Sequence, residues 1–153
     1  MREQKLKELL DREGIRYVTI SHSTAYTAQE VAASAHVSGR EMAKTVMVRL
    51  DDEMAMVVLP ASRKLDFARL KESLGAHNVE LAAEDEFRGL FPGCDAGAMP
   101  PFGNLYGVKV YIDENLSAED RIAFNAGSHT EVIRMPYRDF ARLVNPRVLS
   151  IAR

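Results

Sequence analysis

The sequence predicts a single α/β (α+β) domain with a mixed sheet. Short apolar runs rich in branched residues, such as Lys44 to Leu50 and Met54 to Leu59, read as strands. Amphipathic stretches with stop signals, such as Leu65 to Leu74 before Gly75, read as helices. The two types mix without a strict βαβ repeat, which argues against a doubly wound parallel sheet. A length of 153 residues with 46% apolar side chains suits one domain with an adequate core.

The elements follow in order. Leu6, Leu9 and Leu10 share one face of a helix over about Arg2 to Arg12, and Gly14 is placed to end it. Ile15 to Ser21 alternates as a strand. Thr27-Ala28-Gln29-Glu30 is a capping-box sequence opening a helix through Val31, Ala32 and Ala35, with Gly39 as the break. Lys44 to Leu50 and Met54 to Leu59 flank an Asp51-Asp52-Glu53 turn, and Pro60 stops the second strand. After the helix ending at Gly75 come a short strand, Val79 to Ala82, and a short helix, Glu84 to Leu90. Pro92-Gly93 opens a long loop. Gly107 to Asp113 reads as a buried strand. Arg121 to Asn125 and Glu131 to Met135 read as strands around Gly127-Ser128-His129. Tyr137 to Val144 is the last helix, closed by Asn145-Pro146.

Composition narrows the function classes. No apolar run approaches membrane-span length, and the charged N-terminal pattern is not an apolar signal segment, so the cytoplasm is expected. Cys94 is the only cysteine, which excludes an intrachain disulfide and a thiolate-rich zinc site. His22, His36, His77 and His129 lack paired metal-ligand spacing, so neither metal nor cofactor is expected. A net charge of −2 does not suit nonspecific gripping of long duplexes, although it permits a local basic patch at a nucleic-acid end. The glycines form neither a dinucleotide fingerprint nor a P-loop.

The most informative stretch is Gly97-Ala98-Met99-Pro100-Pro101-Phe102-Gly103-Asn104. Two adjacent prolines stiffen it, and its glycines allow close backbone approach. It would offer N–H groups from Gly97, Ala98, Met99, Phe102 and Gly103 to a small polar ligand. A rigid surface turn would read the same way. Lys44 opens an apolar strand, where burial is costly unless a partner or ligand satisfies the ammonium. It can meet a phosphate or carboxylate ligand, although a solvated strand end is the commoner meaning of such a lysine. His129, in a tight turn, could donate to a ribose or phosphate oxygen or face water. Ser128 lacks the surroundings of a nucleophile elbow. Asn125 is read as ordering the turn through its amide. His22 to Thr27 leads to a helix N-terminus, where plain capping by Thr27 suffices. Arg63-Lys64, with Arg69 and Lys71, reads as a basic or merely solvated face.

Ala43-Lys44-Thr45-Val46, Gly97 through Asn104, Asn125 through His129, and Asp139 through Pro146 together resemble the YbaK/prolyl-tRNA synthetase-associated editing domain family. The resemblance runs from Ser21 to Pro146. It implies a six- or seven-stranded mixed sheet or partial barrel surrounded by helices. It also implies hydrolysis of an ester joining an amino acid to the wrong tRNA. Lys44 matches the family's functional lysine, and Gly97 and Pro101 match its Gly-x-x-x-Pro loop, which makes these three the candidate catalytic residues. His129 matches a histidine that some members have and others lack. With Thr45, Ala98, Met99, Phe102, Gly103, Gly127 and Ser128 it forms the candidate substrate-binding set. The implied partner is the acceptor end of an aminoacyl-tRNA, with transient association with a synthetase. The loop departs from the shorter, more polar loops of the cysteine-specific branch. Alanine, serine or threonine on proline tRNA is therefore the expected substrate. The alternatives are an inactive tRNA- or synthetase-binding module of this fold, and an esterase for another small acyl compound.

Overall fold

The computed structural model describes residues 2–92, 94–95 and 97–153, so the expectation for Gly93 lies outside the described residues. Helix α1 (Arg2–Arg12) buries Leu6 and Leu10 completely. It ends where Gly14, at φ 68°, donates to Asp11 O and Ile15 donates to Leu10 O. This C-terminal motif draws Ile15 into the core, so strand β1 (Val18–Ser21) starts three residues later than its alternation suggests.

Helix α2 (Ala28–Ser34) has the expected capping box, with Thr27 Oγ1 accepting from Glu30 N and Glu30 accepting from Thr27 N. It stops well before Gly39. His36 takes the left-handed turn at φ 58°, and Val37 N closes onto Ala32 O. Strands β2 (Ala43–Leu50) and β3 (Glu53–Pro60) form a hairpin with Lys44 opposite Leu59. Helix α3 (Phe67–Leu74) is capped by Asp66 and ended by Gly75 at φ 63°. Strand β4 (Val79–Leu81) precedes α4 (Glu84–Phe87) and a 3-10 turn, Arg88–Leu90.

A second 3-10 turn, Gly103–Tyr106, ends at Gly107, and this delays β5 to Lys109–Asp113. Helix α5 (Glu114–Ser117), strands β6 (Arg121–Asn125) and β7 (Glu131–Pro136), helix α6 (Tyr137–Val144) and strand β8 (Arg147–Leu149) complete the chain. The described strands form two sheets. One is antiparallel, in the order β1-β7-β6, and the other is mixed, in the order β4-β2-β3-β5-β8. In the mixed sheet β3 and β5, and β5 and β8, run parallel. One parallel bridge, Met42 to Ala123, joins the sheets, with Ala123 N donating to Glu41 O.

The fold class is as expected, with eight strands divided between two sheets. Strand β8 and helix α5 escape the sequence pattern because three or four residues are too few to show a period. Asp113 ties them in. Its buried carboxylate accepts from Asn115 N at 3.0 Å, Ile151 N at 3.1 Å and Ala152 N at 3.0 Å.

The main core lies between the sheets, under α1 and α6, with Phe102, Phe124 and Phe140 at its centre. Two smaller clusters cover the outer faces. Met42, Ala61, Ala123 and Val132 pack with Val31 and Ala32 of α2. Val48, Val57 and Leu59 pack with Leu70 of α3 and Ile151.

Candidate active site

Side chains alternate along a strand, and this alternation places Lys44. Ala43 and Met47 face the main core. Met42, Lys44, Val46 and Val48 therefore face outward. Met42 belongs to the cluster beneath α2, whereas Val46 and Val48 belong to the one beneath α3. Lys44 falls in the gap between these two helical covers. Its ammonium makes no hydrogen bond or ion pair among the described residues. Burial holds its pKa below the ordinary lysine value, and the nearby charge of Lys64 lowers it further. The site thus holds a partly desolvated cation without a protein counter-ion.

The bridge between Met42 and Ala123 sets what stands beside it. Two residues further along parallel neighbours, Lys44 and Asn125 project from the same face of adjoining strands. Asn125 is buried and leads into the turn of Ala126, Gly127, Ser128 and His129. Gly127 has a φ of 101°, which requires glycine, and its carbonyl accepts from Asp95 N at 2.9 Å. Ser128 Oγ lies 3.4 Å from Thr130 Oγ1. The His129 ring lies 4.9 Å from that of Tyr26, an exposed aromatic, at a tilt of 56°. Ala25 N donates to His129 O, which pins the segment before α2 to this turn.

Gly97 completes the wall. A Cβ there would lie 3.9 Å from His129 Cε1. The loop beyond it turns inward. Ala98, Met99, Pro100, Pro101, Phe102 and Gly103 are all buried. Phe102 lies in the aromatic core, and a Cβ on Gly103 would sit 2.8 Å from Val108 O, so both are tightly packed by the protein's own atoms. The N–H groups of Ala98 and Phe102 are already donated to Asp95 O and Pro100 O. Thr45 faces the side opposite Lys44 and binds Met99 O at 3.3 Å, holding the loop in place of a ligand. Pro101 is buried, and its ring stiffens the backbone path of the loop.

Asn125 thus shares a sheet face with Lys44 and starts the turn that carries His129 beside Gly97. The sequence reading missed Tyr26, which no local pattern distinguishes, and misjudged Asn125. The Asn125 side chain makes no hydrogen bond among the described residues, so it does not order the turn.

A profile of the aminoacyl-tRNA editing domain matches residues 22–143. The chain belongs to the aminoacyl-tRNA editing domain family. The editing domain is 31% identical over 110 residues to the proline–tRNA ligase of Halalkalibacterium halodurans, covering 72% of this chain and 18% of that protein. It is 31% identical over 117 residues to that of Heliobacterium modesticaldum, covering 74% of this chain and 20% of that one. The chain therefore spans about a fifth of these relatives' length. Among solved structures, a hypothetical protein superposes with a TM-score of 0.84 at 23% identity, covering 97% of this chain and 99% of that one. A proposed trans-editing enzyme for prolyl tRNA synthetase superposes at 0.83 and 19%, covering 99% and 97%. At these identities the superpositions bear on the fold alone.

Gly97 of the editing domain sits at φ 80°, where a side chain is strained by about 1–2 kcal/mol. The nearest atom to an added Cβ is at ordinary contact distance, so Gly97→Ala acts through the backbone and Gly97→Val adds bulk beyond it. Gly97→Ala is expected to lower deacylation about tenfold, in line with that strain energy, and Gly97→Val to lower it further. Full turnover by Gly97→Ala would show that the left-handed turn is not needed.

Proposed function

We propose that this editing domain removes a small non-thiol amino acid, namely alanine, serine or threonine, from mischarged proline tRNA. The observation that carries the reading is Lys44, a half-buried cation without a partner among the described residues, beside the Asn125–His129 turn. The similarity to proline–tRNA ligases supports proline tRNA as the carrier.

An aminoacyl ester is already activated, so its hydrolysis needs a placed water and a stabilised oxyanion more than a strong nucleophile. Water attacks the ester carbonyl and forms a carbon–oxygen bond. The Lys44 ammonium stabilises the negative oxygen that develops. The intermediate collapses by breaking the bond to the ribose oxygen, which takes the proton lost by the water. Free amino acid and tRNA with an intact terminal hydroxyl result. The loop anchored at Phe102 and Thr45 makes one wall stiff, and a stiff wall excludes larger side chains by steric overlap.

The charge around Lys44 supports docking of the acceptor end. Arg49, Arg69, Arg88, Arg121 and Arg142 each pair with a carboxylate. Among the described residues the side chains of Arg40, Arg63 and Lys64 have no such partner. Arg40 and Arg63 line one cavity with Ser62 and the carboxylate of Glu119, and Lys64 stands close enough to depress the pKa of Lys44. This local positive field suits RNA phosphates although the net charge is −2. Tyr26 offers a ring on which a terminal base can stack. The work belongs in the cytoplasm, in transient association with a synthetase.

A panel of tRNAs charged with alanine, cysteine, serine, threonine and proline tests the reading. Alanyl, seryl or threonyl ester is expected to be lost well above the uncatalysed rate, with cysteinyl and prolyl esters spared. Binding of charged tRNA without faster loss of any amino acid would make this an inactive binding module. Equal hydrolysis of a free amino-acid ester would make it a general esterase.

A further inference from the structure

We propose that Asn125 is a substrate-positioning residue whose carboxamide oxygen accepts a hydrogen bond from the ribose hydroxyl next to the scissile ester. The inference rests on the deacylase reading above and adds a residue to it.

Asn125 is 8% exposed, and its Oδ1 is buried without a hydrogen-bond partner among the described residues. Polar groups in protein interiors are nearly always satisfied, and an orphaned acceptor costs stability. Its surroundings on the strand are apolar. Asn125 stands opposite Val132 and two residues from Ala123, both in the cluster beneath α2. A valine or leucine would suit that position better if packing were all that mattered. The carboxamide therefore has a use that the protein's own atoms do not supply.

The place of Asn125 indicates that use. It shares a sheet face with Lys44 on the neighbouring strand, and it starts the turn that carries His129 beside Gly97. A bare oxygen needs a donor. The reacting end of an aminoacyl-tRNA offers two near the ester, the amino acid's ammonium and the adjacent ribose hydroxyl. Lys44 already puts a positive charge into this region, and a second ammonium beside it would be repelled. A neutral hydroxyl avoids that repulsion. Asn125 would then fix the ribose while Lys44 meets the carbonyl oxygen.

The test uses a stable amide analogue of an alanyl-RNA microhelix, made with and without the ribose hydroxyl beside the linkage. Binding is measured by calorimetry to the full chain and to Asn125→Leu. Removing the hydroxyl should weaken binding to the wild-type chain about 5- to 10-fold, the range for a neutral hydrogen bond. Asn125→Leu should bind the intact analogue as weakly as the wild-type chain binds the deoxy analogue, and should not distinguish the two. Its melting temperature should equal or exceed that of the wild-type chain, because no protein hydrogen bond is lost. Equal sensitivity of both proteins to the missing hydroxyl would overturn the proposal. So would a lowered melting temperature with discrimination retained, which would mark Asn125 as merely structural. Loss of coupling on acetylating the amino group, with none on removing the hydroxyl, would overturn the choice of donor. If the wild-type chain binds neither analogue and deacylates no tRNA in the panel, the deacylase reading itself fails, and this inference with it.

Discussion

Lys44→Ala is expected to cut deacylation about 10- to 100-fold while the protein stays folded. Losing a hydrogen bond from a charged group in the transition state costs about 1.5–3 kcal/mol, which is one to two decades in rate. Nothing in the fold opposes the change, because the ammonium makes no bond to the protein among the described residues. Lys44→Arg should not restore the rate, since a planar fork does not replace a compact charge in a narrow gap.

Stability should move the other way. Burial, and then the charge of Lys64, lowers the pKa of Lys44 in the folded state, so the charged form is less favourable there than in the unfolded chain. That penalty is present at neutral pH. It fades as pH rises through the lowered folded pKa towards the ordinary lysine value, because the folded protein then sheds the proton first. Lys44→Met should therefore raise the melting temperature at neutral pH, and the gain should shrink in alkaline buffer. Unchanged turnover by folded Lys44→Ala at subsaturating substrate would remove the proposed site. A lower melting temperature for Lys44→Met would mean that the charge supports the fold.

The largest expected loss of stability belongs to Asp113→Ala. The carboxylate is wholly buried and accepts from the backbone N–H groups of Asn115, Ile151 and Ala152, and from Asn115 Nδ2 at 2.9 Å. Alanine would leave the buried N–H groups of Ile151 and Ala152 without their acceptor, at about 1–3 kcal/mol each. The total of about 3–5 kcal/mol corresponds to a fall in melting temperature of about 10–15 °C for a chain of this length. Asp113→Asn keeps one oxygen for Ile151 and Ala152 and should lose about half as much. Ile151 packs against Leu70 in the cluster under α3, and Lys64 and Arg153 exchange backbone hydrogen bonds. Freeing the last residues would thus loosen the cover beside Lys44 as well. Chemical denaturation decides the matter, and a loss under about 1 kcal/mol would show that water replaces the carboxylate without strain.

Much of the secondary structure was legible because its signals are local. The capping box at Thr27 and Glu30, the left-handed Gly75, and the boundaries of α6 at Tyr137 and Val144 depend on atoms within about one helical turn. The family was legible too, since its short motifs keep their order along the chain. Within the candidate site, Lys44, Gly97 and His129 could be named from residue type and neighbours. Which of their neighbours face them could not.

The amino-acid sequence alone determined the fold class, most element limits, membership of the editing family, and a lysine at the start of an apolar strand. Only the tertiary structure decided which way that lysine points and what stands beside it. The bridge between Met42 and Ala123 puts Asn125 next to Lys44 and turns Thr45 to the other side. The aromatic packing of Phe102 anchors the far end of the loop in the core. The division has a physical cause. Caps and turns are set by hydrogen bonds between residues a few positions apart. Strand neighbours and register are set by burial summed over residues distant in sequence, and a shift of one residue would reverse every side chain on the strand.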